Sequence, residues 1–174
     1  MKQLVFLYSF FIISVLLTKK FAFAYIFQFS ILILPLLFLG EKQLGLKNFK
    51  AIVVGILSSI VYFPFINFSS LYLHTLPQAF AEEVFFRAFL QNKIAEKINI
   101  HLSIIIISLL FAIPHIILRP DIFSALTFFP SILFGYLYYY TKSVWSSFIF
   151  HYFSNLFLWS NQGLIFDIIK VCIF

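Results

Sequence analysis

Long apolar runs recur along almost the whole of this chain, and they leave few folds open to it. Runs of roughly 17–25 residues are long enough to cross a bilayer as helices. In lipid every backbone polar group needs a partner, so only helices and closed barrels span. The hydropathy pattern places spans near 4–18, 21–39, 51–72, 77–95, 101–118, 122–140 and 143–161. The expected fold is all-α: a polytopic transmembrane bundle of about seven to eight helices.

Composition excludes the soluble alternative. Of the 174 residues, 63% are hydrophobic and only 10% are charged, against about 25% charged in ordinary soluble domains. A net charge of +6 in a soluble chain would suggest a nucleic-acid partner. Here the lysines lie between apolar runs, as juxtamembrane residues do. The expected partners are the lipid bilayer and a membrane-anchored protein or peptide, with no nucleic acid. The single Cys172 excludes an intramolecular disulfide, and no Cys/His cluster suggests a structural metal.

The chain divides by composition into residues 1–76, amino-terminal membrane helices; residues 77–161, where the polar groups of interest lie; and residues 162–174, a short amphipathic or partial helix. Residues 4–17 with Ala22-Phe23-Ala24 superficially resemble a secretory signal. Lys19-Lys20 just before that site, and a further apolar run after it, favour a retained first helix. With the amino terminus cytoplasmic, that side carries Lys2, Lys42, Lys47, Lys50, Lys93, Lys97 and Lys142. The opposite side carries Lys19, Lys20, Arg119 and Lys170, so the lysine bias favours this orientation.

Within the second half, several groups are out of place against lipid. Glu82 and Glu83 are adjacent inside an apolar helix, and a charge at membrane depth costs roughly 2.5–3.5 kcal/mol. Glu83 and Arg87 are an i,i+4 pair with the acid first, the better order for a helix ion pair. Glu82 is rotated by about 100° from Glu83 and has no evident local partner. Pro114, just before His115, removes a backbone donor and can kink its helix. His151 and Asn155 share one helix face. At 1.5 Å per residue, Glu82 is about 8 Å inside Pro77, His115 about 5 Å inside Leu118 and Asn155 about 9 Å inside Asn161. Alternating helix directions put these ends on one side of the membrane, so one shared site is possible.

Taken singly, each group has a plainer role. A membrane His or Asn is usually an interhelical hydrogen bonder, and Glu83–Arg87 alone would be a structural ion pair. The same residues could therefore serve a non-catalytic membrane immunity or scaffold protein. Together they support hydrolysis. A carboxylate and a His can hold and deprotonate a water, while a second His and an amide can donate to an oxyanion. Glu82, His115 and His151 would also satisfy the ligand count of a catalytic zinc with one position for water. Both versions stay open on these residues.

Three motifs carry a family resemblance: Glu82-Glu83-Val84-Phe85-Phe86-Arg87, Phe111-Ala112-Ile113-Pro114-His115 and His151-Tyr152-Phe153-Ser154-Asn155. In this order on successive apolar helices they resemble the type II CAAX prenyl protease and bacteriocin-processing (CPBP) intramembrane proteases, over roughly residues 77–161. The resemblance implies a multi-pass integral protein of a prokaryotic plasma membrane. It implies an endopeptidase that cuts a protein near its carboxy-terminal region or membrane anchor. Glu82 and His115 would activate water, and His151 and Asn155 would stabilise the oxyanion. Glu83, Arg87 and Phe111 would support the site. The metal-free, glutamate-dependent mechanism is favoured over the zinc-dependent one, so no cofactor is expected.

Overall fold

The structure is a computed structural model that describes residues 2–66 and 73–173. Among these residues every regular element is helical. In chain order they are α1 (Lys2–Thr18), α2 (Ala24–Ile33), α3 (Glu41–Leu44), α4 (Lys50–Ser59), α5 (Leu76–Glu83), α6 (Asn92–Ala95), α7 (Ile100–Leu118), α8 (Ile122–Leu126), α9 (Phe128–Thr141) and α10 (Val144–Ile173). Tighter 3₁₀ turns extend α2 through Leu34–Leu37 and α4 through Ile60–Phe65. A π-helical stretch, Val84–Gln91, joins α5 to α6. The expected end of the third span, residues 67–72, lies outside the described residues, as do the side chains of residues 162–174.

One expectation requires correction. The chain after residue 161 is not a separate short piece, because α10 runs without a break from Val144 to Ile173. The polar Asn161 that suggested an end instead donates through Nδ2 to Phe157 O in its own helix and to Phe65 O across to the end of α4, at 2.8 and 2.7 Å. The expected span 122–140 falls on the apolar stretch Ile122–Thr141, which carries a turn at Thr127 between α8 and α9. Pro130 has no N–H to offer the carbonyl four residues back, which weakens the ladder at that point.

Small residues set the closest helix packing. The buried residues of α4 are Ala51, Gly55 and Ser59, one per turn on a single stripe, and this stripe meets α10. Such stripes let backbones approach, which is how helices associate where lipid removes the hydrophobic incentive. A Cβ on Gly55 would lie 2.9 Å from Ile149 Cβ and 3.1 Å from the Ser146 backbone. The core behind the stripe is aromatic: Phe11, Phe85, Phe86, Phe89, Phe111, Phe134 and Phe150 pack with Leu32 and Ile107.

Between the π stretch and α9 runs a polar ladder. Arg87 Nη2 donates to Ser131 Oγ (2.8 Å), Gln91 Nε2 to Gly135 O (3.1 Å), and Asn92 Nδ2 to Tyr138 OH (2.6 Å). The partners on α9 step by three to four residues, so the wide turn of the π stretch keeps both helices in register. At that end of the bundle Tyr138 OH continues to Gln43 O, Ser143 Oγ donates to Gly45 O, and Trp145 Nε1 to Leu46 O.

The outer surface is as apolar as the core. Leu37 is 82% exposed, Ile26 73%, Phe49 71% and Val61 63%. Among the described residues, Ile100–Leu118 and Ile122–Thr141 are long and apolar enough to cross a membrane. The apolar helices Leu4–Thr18, Ala24–Leu37 and Lys50–Phe65 are shorter.

Candidate active site

Glu82 and Glu83 close α5, which opens at Leu76-Pro77 with proline in its first turn, where the missing N–H has no helical acceptor to serve. Consecutive positions on a helix face about 100° apart, and the two carboxylates accordingly take different surroundings. Glu83 is fully buried. Its Oε2 accepts from Arg87 Nε at 3.2 Å, and its Oε1 lies 2.9 Å from His151 Nδ1. Glu82 keeps part of its side chain open, at 13% exposure, towards a cavity.

That cavity has a volume of about 650 Å³. Glu82 from α5, His115 from α7, and His151 and Asn155 from α10 all line it. Residues from three separate helices thus border one space. Phe111, Phe134, Leu118 and Leu158 supply apolar wall, and Tyr25, Arg119 and Trp159 lie further along the lining.

His151 is held on three sides. Phe134 stacks on its ring with centroids 4.5 Å apart and planes 16° apart, and Phe111 meets it edge-on at 5.5 Å. A carboxylate paired with Arg87 can only accept, so Nδ1 carries a proton and donates to Glu83. Nε2 is then directed at Glu82 Oε2, 3.7 Å away, outside hydrogen-bond reach. For Nε2 to donate as well, the ring must hold both protons.

The Arg87 guanidinium, fully buried, lies over the Phe111 and Phe134 rings at 5.3 and 5.7 Å, within the range of a cation–π contact. Its Nη1 has no hydrogen-bond partner among the described residues. His115 Nδ1 is 2.9 Å from Phe111 O. A carbonyl can only accept, so this nitrogen is the donor and Nε2 of the neutral ring is an acceptor. Phe111 therefore meets His151 through its ring and His115 through its carbonyl.

Pro114 leaves Leu110 O, four residues earlier, without a helical donor. Tyr8 OH of α1 donates to it at 2.7 Å, so the irregularity beside His115 is satisfied from another helix.

Among the described residues no group of three His, Cys, Asp or Glu side chains is placed to hold a metal ion. His151 engages Glu83 through Nδ1 and His115 engages a carbonyl through Nδ1, which fixes each ring and leaves Nε2 as its remaining nitrogen.

The sequence alone missed several lining groups. Glu82 does have a local partner: Gln78 Nε2 donates to its Oε1 at 2.7 Å. The i,i+4 spacing of these two residues was a usable signal. Arg119, read only as a loop residue, and Ser124 and Thr127 also line the cavity. Phe134, the stacking partner of His151, belongs to none of the three motifs.

A family described as type II CAAX prenyl endopeptidase Rce1-like matches residues 64–157. That segment holds all three motifs, and with them Glu82, His115, His151 and Asn155. No curated protein and no solved structure matches the chain.

Proposed function

Because the chain belongs to the Rce1-like family of type II CAAX prenyl endopeptidases, a family of membrane proteases, we propose that it is an intramembrane endopeptidase of the glutamate-dependent kind. The observation that carries this reading is the cavity shared by Glu82, His115, His151 and Asn155. The apolar outer surface supports a multi-pass bundle set in a bilayer, where such a cavity can receive a peptide from a membrane-anchored protein.

In the proposed reaction a water sits between Glu82 Oε2 and His115 Nε2. Glu82 takes one proton as the water oxygen bonds to the scissile carbonyl carbon. The resulting oxyanion accepts hydrogen bonds from Asn155 Nδ2 and from His151 Nε2 of a doubly protonated ring. Glu82 then gives its proton to the amide nitrogen, the C–N bond breaks, and a carboxylic acid, still carrying the water's second proton, and an amine leave. Glu83, tied to Arg87 and His151, holds the second histidine in position. The substrate that suits this site is a protein cut near its carboxy-terminal region or membrane anchor.

Purified protein incubated with a tail-anchored substrate tests the reading. Wild type is expected to cleave it, Glu82→Gln to be inactive while still inserted and expressed, and a metal chelator to have no effect. Cleavage by Glu82→Gln would remove Glu82 from the role of base. A chelator-sensitive activity restored by zinc would replace the metal-free mechanism. A wild type that cleaves no such substrate would favour a non-catalytic membrane partner.

A further inference from the structure

Among the polar side chains of the cavity that have no part in the proposed reaction, Gln78 is bonded to the base itself. Gln78 stands one turn before Glu82 on α5 and lines the cavity beside it. Its Nε2 donates to Glu82 Oε1 at 2.7 Å, while Glu82 Oε2 is the oxygen on the side of His151. We propose that Gln78 is a positioning residue that fixes the Glu82 carboxylate, reserving Oε2 for the proton of the attacking water. This rests on the reading of Glu82 as the base.

The local sequence gives Gln78 another option. Thr75-Leu76-Pro77-Gln78 has the spacing of a capping box, in which a glutamine at the third helical position reaches back to the amino-terminal cap. The Gln78 amide Nε2 points forward, to Glu82 Oε1.

The chemistry of an amide suits this role. A carboxylate turns easily about its last torsion, which is broad and roughly two-fold, so its oxygens exchange places unless one is held. A donor on Oε1 ends that equivalence. A cation there would compete with the water's proton for Glu82, and a second carboxylate would repel it. A neutral amide orients without doing either. An i,i+4 pair of this kind contributes only about 0.2–0.5 kcal/mol to an isolated helix, so its loss should appear in turnover and not in folding. The other titratable groups that share the cavity with Glu82 are Tyr25 from α2, His115 from α7, Arg119 just past the end of α7, and His151 from α10, with Glu83 and Arg87 just beyond it in the chain.

The test compares full-length wild type, Gln78→Leu, Gln78→Glu and Glu82→Gln on a tail-anchored reporter peptide, recording kcat, KM, pH profile and Tm. Gln78→Leu should lower kcat about 10- to 100-fold, the scale of a small misplacement of a catalytic group, with KM within about two-fold and Tm unchanged. In Gln78→Glu the introduced carboxyl can donate to Glu82 only while it keeps its proton. Part of kcat should therefore return on the acid side and fall as pH rises, whereas Gln78→Leu keeps the wild-type profile at reduced height. Wild-type kcat in Gln78→Leu, beside an inactive Glu82→Gln, overturns the positioning role and leaves the protease reading intact. Undiminished cleavage by Glu82→Gln overturns both. Should Gln78→Leu fail to fold, the near-isosteric Gln78→Glu carries the test, and a pH profile unchanged from wild type is the overturning result.

Discussion

His151 Nδ1 lies 2.9 Å from Glu83 Oε1, so the first histidine of the third motif is bound to the second glutamate of the first, not to Glu82. The same carboxylate receives Arg87, and neither Glu83 nor Arg87 is exposed to any degree. Three charged or chargeable groups from two helices thus form one buried unit behind the cavity. Glu82 is free of that unit except through the 3.7 Å approach to His151 Nε2.

Breaking the unit should cost more than removing Glu82. Arg87→Ala leaves the Glu83 carboxylate buried beside His151 without its cation, a loss on the order of 3–5 kcal/mol. Expression or thermal stability of Arg87→Ala is therefore expected to fall well below that of Glu82→Gln. Equal melting of the two variants would show that Arg87 is not needed to compensate Glu83.

Gly45 should resist substitution. Its φ of 61° is in the left-handed region, and a Cβ there would collide with Lys142 O and lie 2.6 Å from Ser143 Cα. Gly45→Ala combines backbone strain of roughly 1–3 kcal/mol with that collision. It should lower Tm while leaving the KM of the remaining folded protein unchanged. An unaltered Tm would mean that the turn and the start of α10 can separate without cost.

The cavity and the Gly45 turn lie at different levels along α10. Trp145 meets Leu46 at its start, and Asn161 meets Phe65 about 24 Å further along the helix. In a Cys172→Ser background, cysteines replacing Thr75 or Asn161 should react with an impermeant thiol reagent applied outside, and a cysteine replacing Lys47 should not. The reverse pattern would turn the cavity towards the cytoplasm and make a prenylated cytoplasmic protein the better substrate.

Asp121, in the connection between α7 and α8, gives a pH-dependent contribution. Burial pushes its carboxyl up, but the Ser124 backbone N–H and the Arg119 side chain outweigh this and hold it below the usual range. A lowered folded value stabilises the protein above the unfolded value, and this is lost as pH falls through the folded one. Asp121→Asn should therefore melt below wild type near neutral pH, with the difference closing in acid. A difference that persists unchanged at low pH would assign the effect to capping of α8 alone.

The motif residues were legible because each is costly in an apolar helix. Glu82, Glu83, Arg87, His115, His151 and Asn155 stand out against lipid, and helix periodicity alone gives their relative depth. Gln78 is masked by the ordinary capping role of a glutamine near a helix start, although its i,i+4 spacing to Glu82 carried the signal. Phe134 was hidden among the 27 phenylalanines of the chain. The π stretch Val84–Gln91 has no sequence signature, because it is fixed by where Arg87, Gln91 and Asn92 find partners on α9. The break at Thr127 could have been anticipated from Pro130. The continuation of α10 could not, because it depends on Asn161 finding a carbonyl on another helix.

The hydroxyl of Tyr8 on Leu110 O gives the first helix a part in the chemistry of a region it never enters. The family match begins at residue 64, yet the carbonyl left open by Pro114 is closed by a side chain 56 residues upstream of that boundary. A fragment trimmed to the matched segment would carry all three motifs and still lack one of the hydrogen bonds that shapes the helix around His115. Where the recognisable motifs begin therefore does not mark where the helices that shape the site begin.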